Sequence, residues 1–329
     1  MSWYPVPVPS QAGRRFLVTG GNRGIGFFTA ARLAGAGAHV VLSGRSRERM
    51  DAAVRAIRDR VPAASLETLV LDISSLDSVR AGADEVLAGP PLDGLVLNAG
   101  MVHVPQERLE SVDGNELVLA TNVLGHFALL GRVLPHLADG ARIVSLGSLA
   151  TRLSTLRLDD LQLTREYDSW RAYAQSKIAA QSIGFQLDRR LRAAAGGASA
   201  VGGASGTASG VAGAGDGSPR VSSIVAHPGY SISGRTPRVA GVNEPTRRVR
   251  FANALQAPSA QGKHRGAEVI VHAATGAGVE SGQFWGPRYD TKGRPSLKRP
   301  TRTSSDPEVG ALVWAVAEAA TGVRVEMGA

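Results

Sequence analysis

Apolar residues fall into two alternating patterns along the chain. Short continuous runs rich in Val, Leu and Ile occur at FLVT (16–19), AHVVLSGR (38–45), LETLVLD (66–72), LDGLVLNAG (92–100), ARIVSLGS (141–148) and RVSSIVAHPG (220–229). Between them lie stretches with helical spacing: Phe27 to Gly35, Arg47 to Arg60, Leu76 to Leu87, the long run 115–137, and WRAYAQSKIAAQSIGFQLDRRL. A helix over Gly266–Ala274, a short strand near Gln283–Gly286 and a helix over Pro307–Ala320 close the pattern. Strands alternating with helices of ten or more residues predict βαβ units and a parallel sheet. Near-continuous apolar strands predict a sheet covered on both faces. The expectation is one doubly wound α/β domain over residues 1–329.

Three stretches break the pattern. Residues 1–13 begin Pro-rich and read as an extended segment. Residues 193–219 are almost pure Gly, Ala and Ser, with too little apolar surface to offset ordering, and are expected to be a flexible insertion. Residues 230–264 follow the sixth strand and are expected to form an irregular loop over the substrate. No internal repeat is present.

Composition removes several chemistries. There is no cysteine, so disulfides, thiolate nucleophiles and Cys-bound zinc are excluded. The seven histidines are scattered with no HExxH spacing, and no metal site is expected. The net charge of +9 comes from Arg spread along the chain, with few aromatics among the basic stretches; no nucleic-acid partner is expected. The chain shows no apolar run of membrane-spanning length and no signal peptide, so a cytoplasmic protein is expected. A homo-oligomer is compatible with this reading.

The first strand runs into Thr19-Gly20-Gly21-Asn22-Arg23-Gly24-Ile25-Gly26 and then a helix. Glycines there let the backbone turn tightly and approach a diphosphate, and the helix N-terminus offers N–H groups to phosphate. The TGxxxGxG spacing resembles the short-chain dehydrogenase/reductase family, and further marks follow in order. These are Asp72-Ile73, Asn98-Ala99-Gly100, Asn122, Ser148, Tyr173 and Lys177 as YxxxK, and Pro228-Gly229. The resemblance covers nearly the whole chain and implies a Rossmann-type fold. It further implies cofactor contacts from the glycine turn (Gly20, Asn22, Arg23, Gly24, Ile25, Gly26), Asp72, Ile73, Asn98, Ala99, Gly100, Tyr173, Lys177, Pro228, Gly229, Ser231 and Ser233. Ser233 stands where the family has Thr, and keeps the hydroxyl.

The second strand ends Leu42-Ser43-Gly44-Arg45. An acid there would hold the ribose 2′-hydroxyl of NAD; Arg45 instead offers a planar cation suited to a 2′-phosphate, with Arg23 as a second. NADP(H) is the expected cofactor.

Tyr173 and Lys177 are four apart in a helical segment and share a face. Only four lysines occur in this Arg-rich chain, and one sits at this spacing. A tyrosine of pKa about 10 is a weak base at neutral pH, and a nearby cation is expected to lower that value. Ser148 ends a buried strand at the carboxyl edge of the sheet, where ligands of such sheets bind. The family resemblance has it polarise the substrate carbonyl, has Lys177 bind the nicotinamide ribose, and has Asn122 hold a water in a proton relay. Asn122 also reads as a helix-interior residue with a structural hydrogen bond.

The Ser148–Tyr173 interval, TNVLGHF and HPG look most like the retinol-dehydrogenase and protochlorophyllide-reductase branch and its bacterial relatives. That likeness implies hydride transfer on a carbonyl or alcohol of a bulky apolar small molecule. A non-catalytic NADP(H)-binding regulator on the same fold is the alternative. The glycine spacing fits an epimerase less well.

Overall fold

The computed structural model describes residues 7–201 and 220–327, with residues 197–201 given by backbone alone. The first six residues of the N-terminal segment and residues 202–219 of the Gly/Ala/Ser stretch lie outside the described residues.

Strand β1 (Arg15–Thr19) is buried at every position. Along it, Leu17 points to one core while Phe16 and Val18 point to another, as a two-residue side-chain period requires. The strands β2 (His39–Gly44), β3 (Ser65–Val70), β4 (Leu92–Leu97), β5 (Leu137–Leu146), β6 (Ser222–Ala226), β9 (Phe284–Pro287) and β10 (Pro295–Lys298) complete the main sheet. Its order is β10-β9-β6-β5-β4-β1-β2-β3. Every described pairing from β9 to β3 is parallel; β10 alone runs antiparallel, closing the edge as a hairpin with β9. The expected doubly wound sheet is present, and the hairpin strand β10 is an addition to it.

Helices α1 (Gly24–Gly35), α2 (Arg47–Arg58) and α8 (Lys263–Thr275) cover the Phe16/Val18 face. Helices α3 (Leu76–Leu87), α4 (Leu117–Leu119), α5 (Gly125–Val133), α6 (Ser169–Val201) and α10 (Pro307–Thr321) cover the other, with the one-turn α9 (Arg302–Ser305) leading into α10. Ser46, Ser75 and Asp306 cap α2, α3 and α10 by accepting backbone N–H groups of the first turn.

Several boundaries differ from the pattern. The run 115–137 is not one helix. Glu116 caps α4 through the N–H groups of Val118 and Leu119, a π-turn occupies Ala120–Leu124, and a 3₁₀ turn at Leu134–His136 contains Pro135. Contrary to the reading above, Leu117–His136 does reach membrane-spanning length, with a mean hydropathy of 1.6; 78% of that window is buried inside the protein, as a core helix requires. Helix α6 continues through residues 193–201 of the expected flexible insertion, because Ala-rich sequence propagates an existing helix cheaply. Residues 230–264 are also less irregular than expected. They hold a short parallel pair, β7 (Ser231–Ile232) with β8 (Gln261–Gly262), and the capped helix α7 (Arg247–Ala254).

Candidate active site

The glycine turn leaves the carboxyl end of β1 and opens α1. Gly20 has φ +65°, which a side chain rarely adopts. A Cβ on Gly26 would stand 2.4 Å from both Asn98 Nδ2 and the Gly20 carbonyl, so only glycine lets α1 pack this close. Asn98 Nδ2 donates to the Thr19 carbonyl at 2.7 Å, while Thr19 Oγ1 accepts from the Asn98 and Ala99 N–H groups at 2.8 and 2.9 Å. The ends of β1 and β4 are thereby locked together. Helix α1 follows Arg23, which makes no side-chain cap, and has no acid in its first turn, leaving its first N–H groups for an anion. Asn22 packs its Oδ1 toward Gly44, and Ile25 packs against the core.

Arg45 lies just past β2 with its side chain 67% exposed, and its nearest carboxylate is Asp72 at 4.0 Å. Asp72 and Ile73 lie beyond β3, which ends at Val70, rather than within it. Asp72 Oδ1 accepts from the Ser74 hydroxyl and N–H. The Ile73 carbonyl would stand 1.7 Å from a Cβ on Gly125, so α5 needs glycine there. With a cradle of this shape and an uncapped helix N-terminus, these residues fit a dinucleotide.

Ser148 sits two residues past β5 and caps a 3₁₀ turn, Leu149–Arg152, by accepting from the Ala150 N–H. Tyr173, in the second turn of α6, donates its hydroxyl to Ser148 Oγ at 3.2 Å. One turn further, Lys177 is buried with its Nζ 3.4 Å from the Leu146 carbonyl. Burial alone lowers its pKa from the ordinary 10.5 to about 8. Tyr173 departs from expectation. Burial raises its pKa, and the bond to Ser148 opposes that rise. Gly147 replaces a possible second serine for a steric reason, since a Cβ there would meet Gln181 Nε2 at 2.4 Å. Ser145, the rival hydroxyl, is buried inside β5.

Asn122 lies in the π-turn, a feature frequent at functional sites. Its Oδ1 accepts from the Met101 N–H at 2.7 Å and its Nδ2 donates to Ser176 Oγ at 2.9 Å. Both ends of the side chain are thus hydrogen-bonded. Gly100 lies beside it: a Cβ there would be 3.0 Å from Asn122 Oδ1 and 3.5 Å from Lys177 Nζ. Pro228 and Gly229 follow β6 beneath the β9–β10 hairpin, and Tyr230 N donates to the Thr291 carbonyl. Ser231 Oγ donates to the Pro228 carbonyl at 2.9 Å. Ser233 opens a 3₁₀ turn after β7.

Two residues were missed by motif reading. Buried His126 contacts Thr19 Oγ1 through Nε2 at 3.0 Å and faces the Asn122 carbonyl through Nδ1. Burial, then Lys177, lowers its pKa to about 3, so it is neutral and links the cofactor turn to the catalytic segment. The run TNVLGHF held it without a role. The second, Lys263, lies against the glycine turn.

A cradle for a dinucleotide joined to a Tyr–Ser–Lys cluster at the same sheet edge defines an oxidoreductase of the doubly wound α/β class. The chain belongs to the short chain dehydrogenase family, which it matches over residues 14–193. It is 40% identical over 196 residues to polyprenol dehydrogenase of Mus musculus, covering 57% of this chain and 58% of that protein. It is 37% identical over 191 residues to retinol dehydrogenase 13 of Homo sapiens, covering 56% and 57%. It therefore spans a little over half the length of these curated relatives. A solved structure from Mycobacterium Paratuberculosis is 30% identical, covers 97% of both chains and superposes with a TM-score of 0.73. The similarity to retinol dehydrogenase 13 agrees with the branch that the sequence resembles.

Proposed function

We propose that this protein is an NADP(H)-dependent oxidoreductase that interconverts a carbonyl and an alcohol on a bulky apolar small molecule. The observation that carries it is the 3.2 Å hydrogen bond from Tyr173 to Ser148, with Lys177 buried one turn away. Bound NADP(H) supplies or accepts the hydride. Ser148 Oγ accepts from Tyr173 and the Ala150 N–H, so its own proton is free to point at a substrate carbonyl oxygen. A hydrogen bond there strengthens as negative charge grows on that oxygen. Tyr173, held in its neutral form by burial, gives its proton to the nascent alkoxide. Lys177 binds the nicotinamide ribose, and the anionic cofactor favours its charged form. Asn122 positions rather than reacts, through Met101 and Ser176.

The substrate class draws on the relatives' names and on exposed apolar side chains at the sheet's carboxyl edge. Val102 follows β4, Leu153 follows the Ser148 turn and Tyr230 follows Pro228-Gly229; all are 43% exposed or more. Trp170, 49% exposed, lies 6.3 Å from the Tyr173 ring, centroid to centroid. Such a set suits long isoprenoid, retinoid or polyketide-like substrates.

The test is NADPH consumption across aromatic, polyketide-like, steroid, retinoid and polyprenoid carbonyls, followed by Tyr173→Phe and Ser148→Ala on the substrate found. Tyr173→Phe should retain cofactor affinity and lower turnover about 10²–10⁴-fold. Near-wild-type turnover of Tyr173→Phe would overturn the mechanism.

A further inference from the structure

Lys263 opens α8, and its side chain lies against the glycine turn. A Cβ placed on Gly24 would meet Lys263 Cδ at 3.8 Å and Nζ at 4.0 Å. Gly24 is the first residue of α1, so the ammonium stands at the mouth of that helix. The backbone holds it there, since the Lys263 N–H donates to Thr236 Oγ1 at 2.8 Å, and Thr236 in turn donates to the Ile232 carbonyl.

This ammonium has no anionic partner among the described residues. The one acid of α8, Glu268, is taken by Arg32 at 3.6 Å and by Arg265 at 3.1 Å. Lys298, by contrast, pairs with Asp290 at 3.0 Å. Arg23, another cation, repels it, and that repulsion adds to burial in lowering its pKa. Neither α1 nor α8 has a side-chain cap or an acid in its first turn. Two cations from separate segments therefore converge on one glycine turn at two open helix N-termini. Both the repulsion and the burial are unfavourable until a multivalent anion sits between them.

We infer that Lys263 is a phosphate-binding residue of the cofactor site, reaching over Gly24 to the dinucleotide's diphosphate. The inference rests on the dinucleotide-site reading above and adds a residue to it from outside the glycine motif. Position separates its role from that of Arg45. Lys263 lies over the turn that opens α1, whereas Arg45 lies beyond β2 beside Asp72. Lys263 then serves what NADPH, NADH and ADP-ribose share, and Arg45 serves what NADPH alone carries.

Binding of NADPH, NADH and ADP-ribose to the full chain, measured by titration calorimetry, tests this without catalysis. Lys263→Met should weaken all three by a similar factor, about tenfold or more, as loss of a charge-assisted hydrogen bond does. Lys263→Arg should stay within about threefold of wild type, because it keeps the cation. The ligand-free Lys263→Met protein should melt no lower than wild type, showing that the loss is not misfolding. If Lys263→Met binds all three like wild type, loses NADPH alone, or melts well below wild type, the inference is overturned. The same holds if Lys263→Arg is as weak as Lys263→Met. If wild type binds none of the three, the dinucleotide-site reading itself fails.

Discussion

Replacing Lys177 with Met should make the ligand-free protein more stable while removing its function. Lys177 is 6% exposed, its ammonium has one long hydrogen bond, to the Leu146 carbonyl, and burial lowers its pKa from 10.5 to about 8. A drop of that size corresponds to about 3 kcal/mol against the charged form at pH 7. Between pH 8 and 10.5 the unfolded chain binds the proton that the folded chain has released, so this residue's contribution to stability rises with pH. Met fills similar volume with no charge to desolvate, so the variant should gain up to about 3 kcal/mol at pH 7, and that gain should shrink toward pH 10. At about 2 °C per kcal/mol, the melting temperature should rise by about 5 °C. Urea unfolding of both proteins without cofactor, at pH 7 and pH 9.5, measures the difference at each pH. A variant less stable than wild type at pH 7, or a gain of the same size at both, would refute the reasoning. Cofactor binding should move the other way, because the nicotinamide ribose restores to the ammonium a partner that Met cannot engage.

Two further substitutions probe the site's edges. Arg45→Asp should weaken NADPH by more than tenfold and leave NADH within a few-fold, read from dissociation constants for both; equal NADH and NADPH affinity in wild type would show that Arg45 has no selective role. Gly147→Ser, which restores a second serine beside Ser148, should cost about 1–3 kcal/mol in urea unfolding, because the new Cβ would meet buried Gln181 at 2.4 Å.

What the sequence disclosed follows from how local each signal is. The strand runs and the glycine turn are local, and the doubly wound sheet and the β1–α1 cradle stand where they indicated. The Tyr173–Lys177 spacing needs only one helix, and α6 supplies it. Features without a local pattern of their own were not legible. The hairpin strand β10 pairs with β9 through Pro295–Lys298, four residues with no strong strand pattern. The π-turn that interrupts the run 115–137 carries Asn122, which bonds Met101 and Ser176, contacts that no helical period announces.

The direction of the Tyr173 shift shows the same limit acting on chemistry. Sequence places a lysine four residues on and argues for a lowered pKa. In the folded chain both groups are desolvated, the tyrosine rises, and the lysine falls toward 8. Burial acts on the charged form of each, so it disfavours phenolate and ammonium together. Burial therefore favours Tyr173 as a proton donor and brings Lys177 nearer to losing its charge. An anionic cofactor beside Lys177 favours the ammonium, and a charged Lys177 lowers the cost of ionising Tyr173. On this reasoning cofactor binding is what makes Tyr173 able to take a proton as well as give one. If the proposed function holds, alcohol oxidation, which needs that base, would depend on the bound dinucleotide for the state of the tyrosine as well as for the hydride.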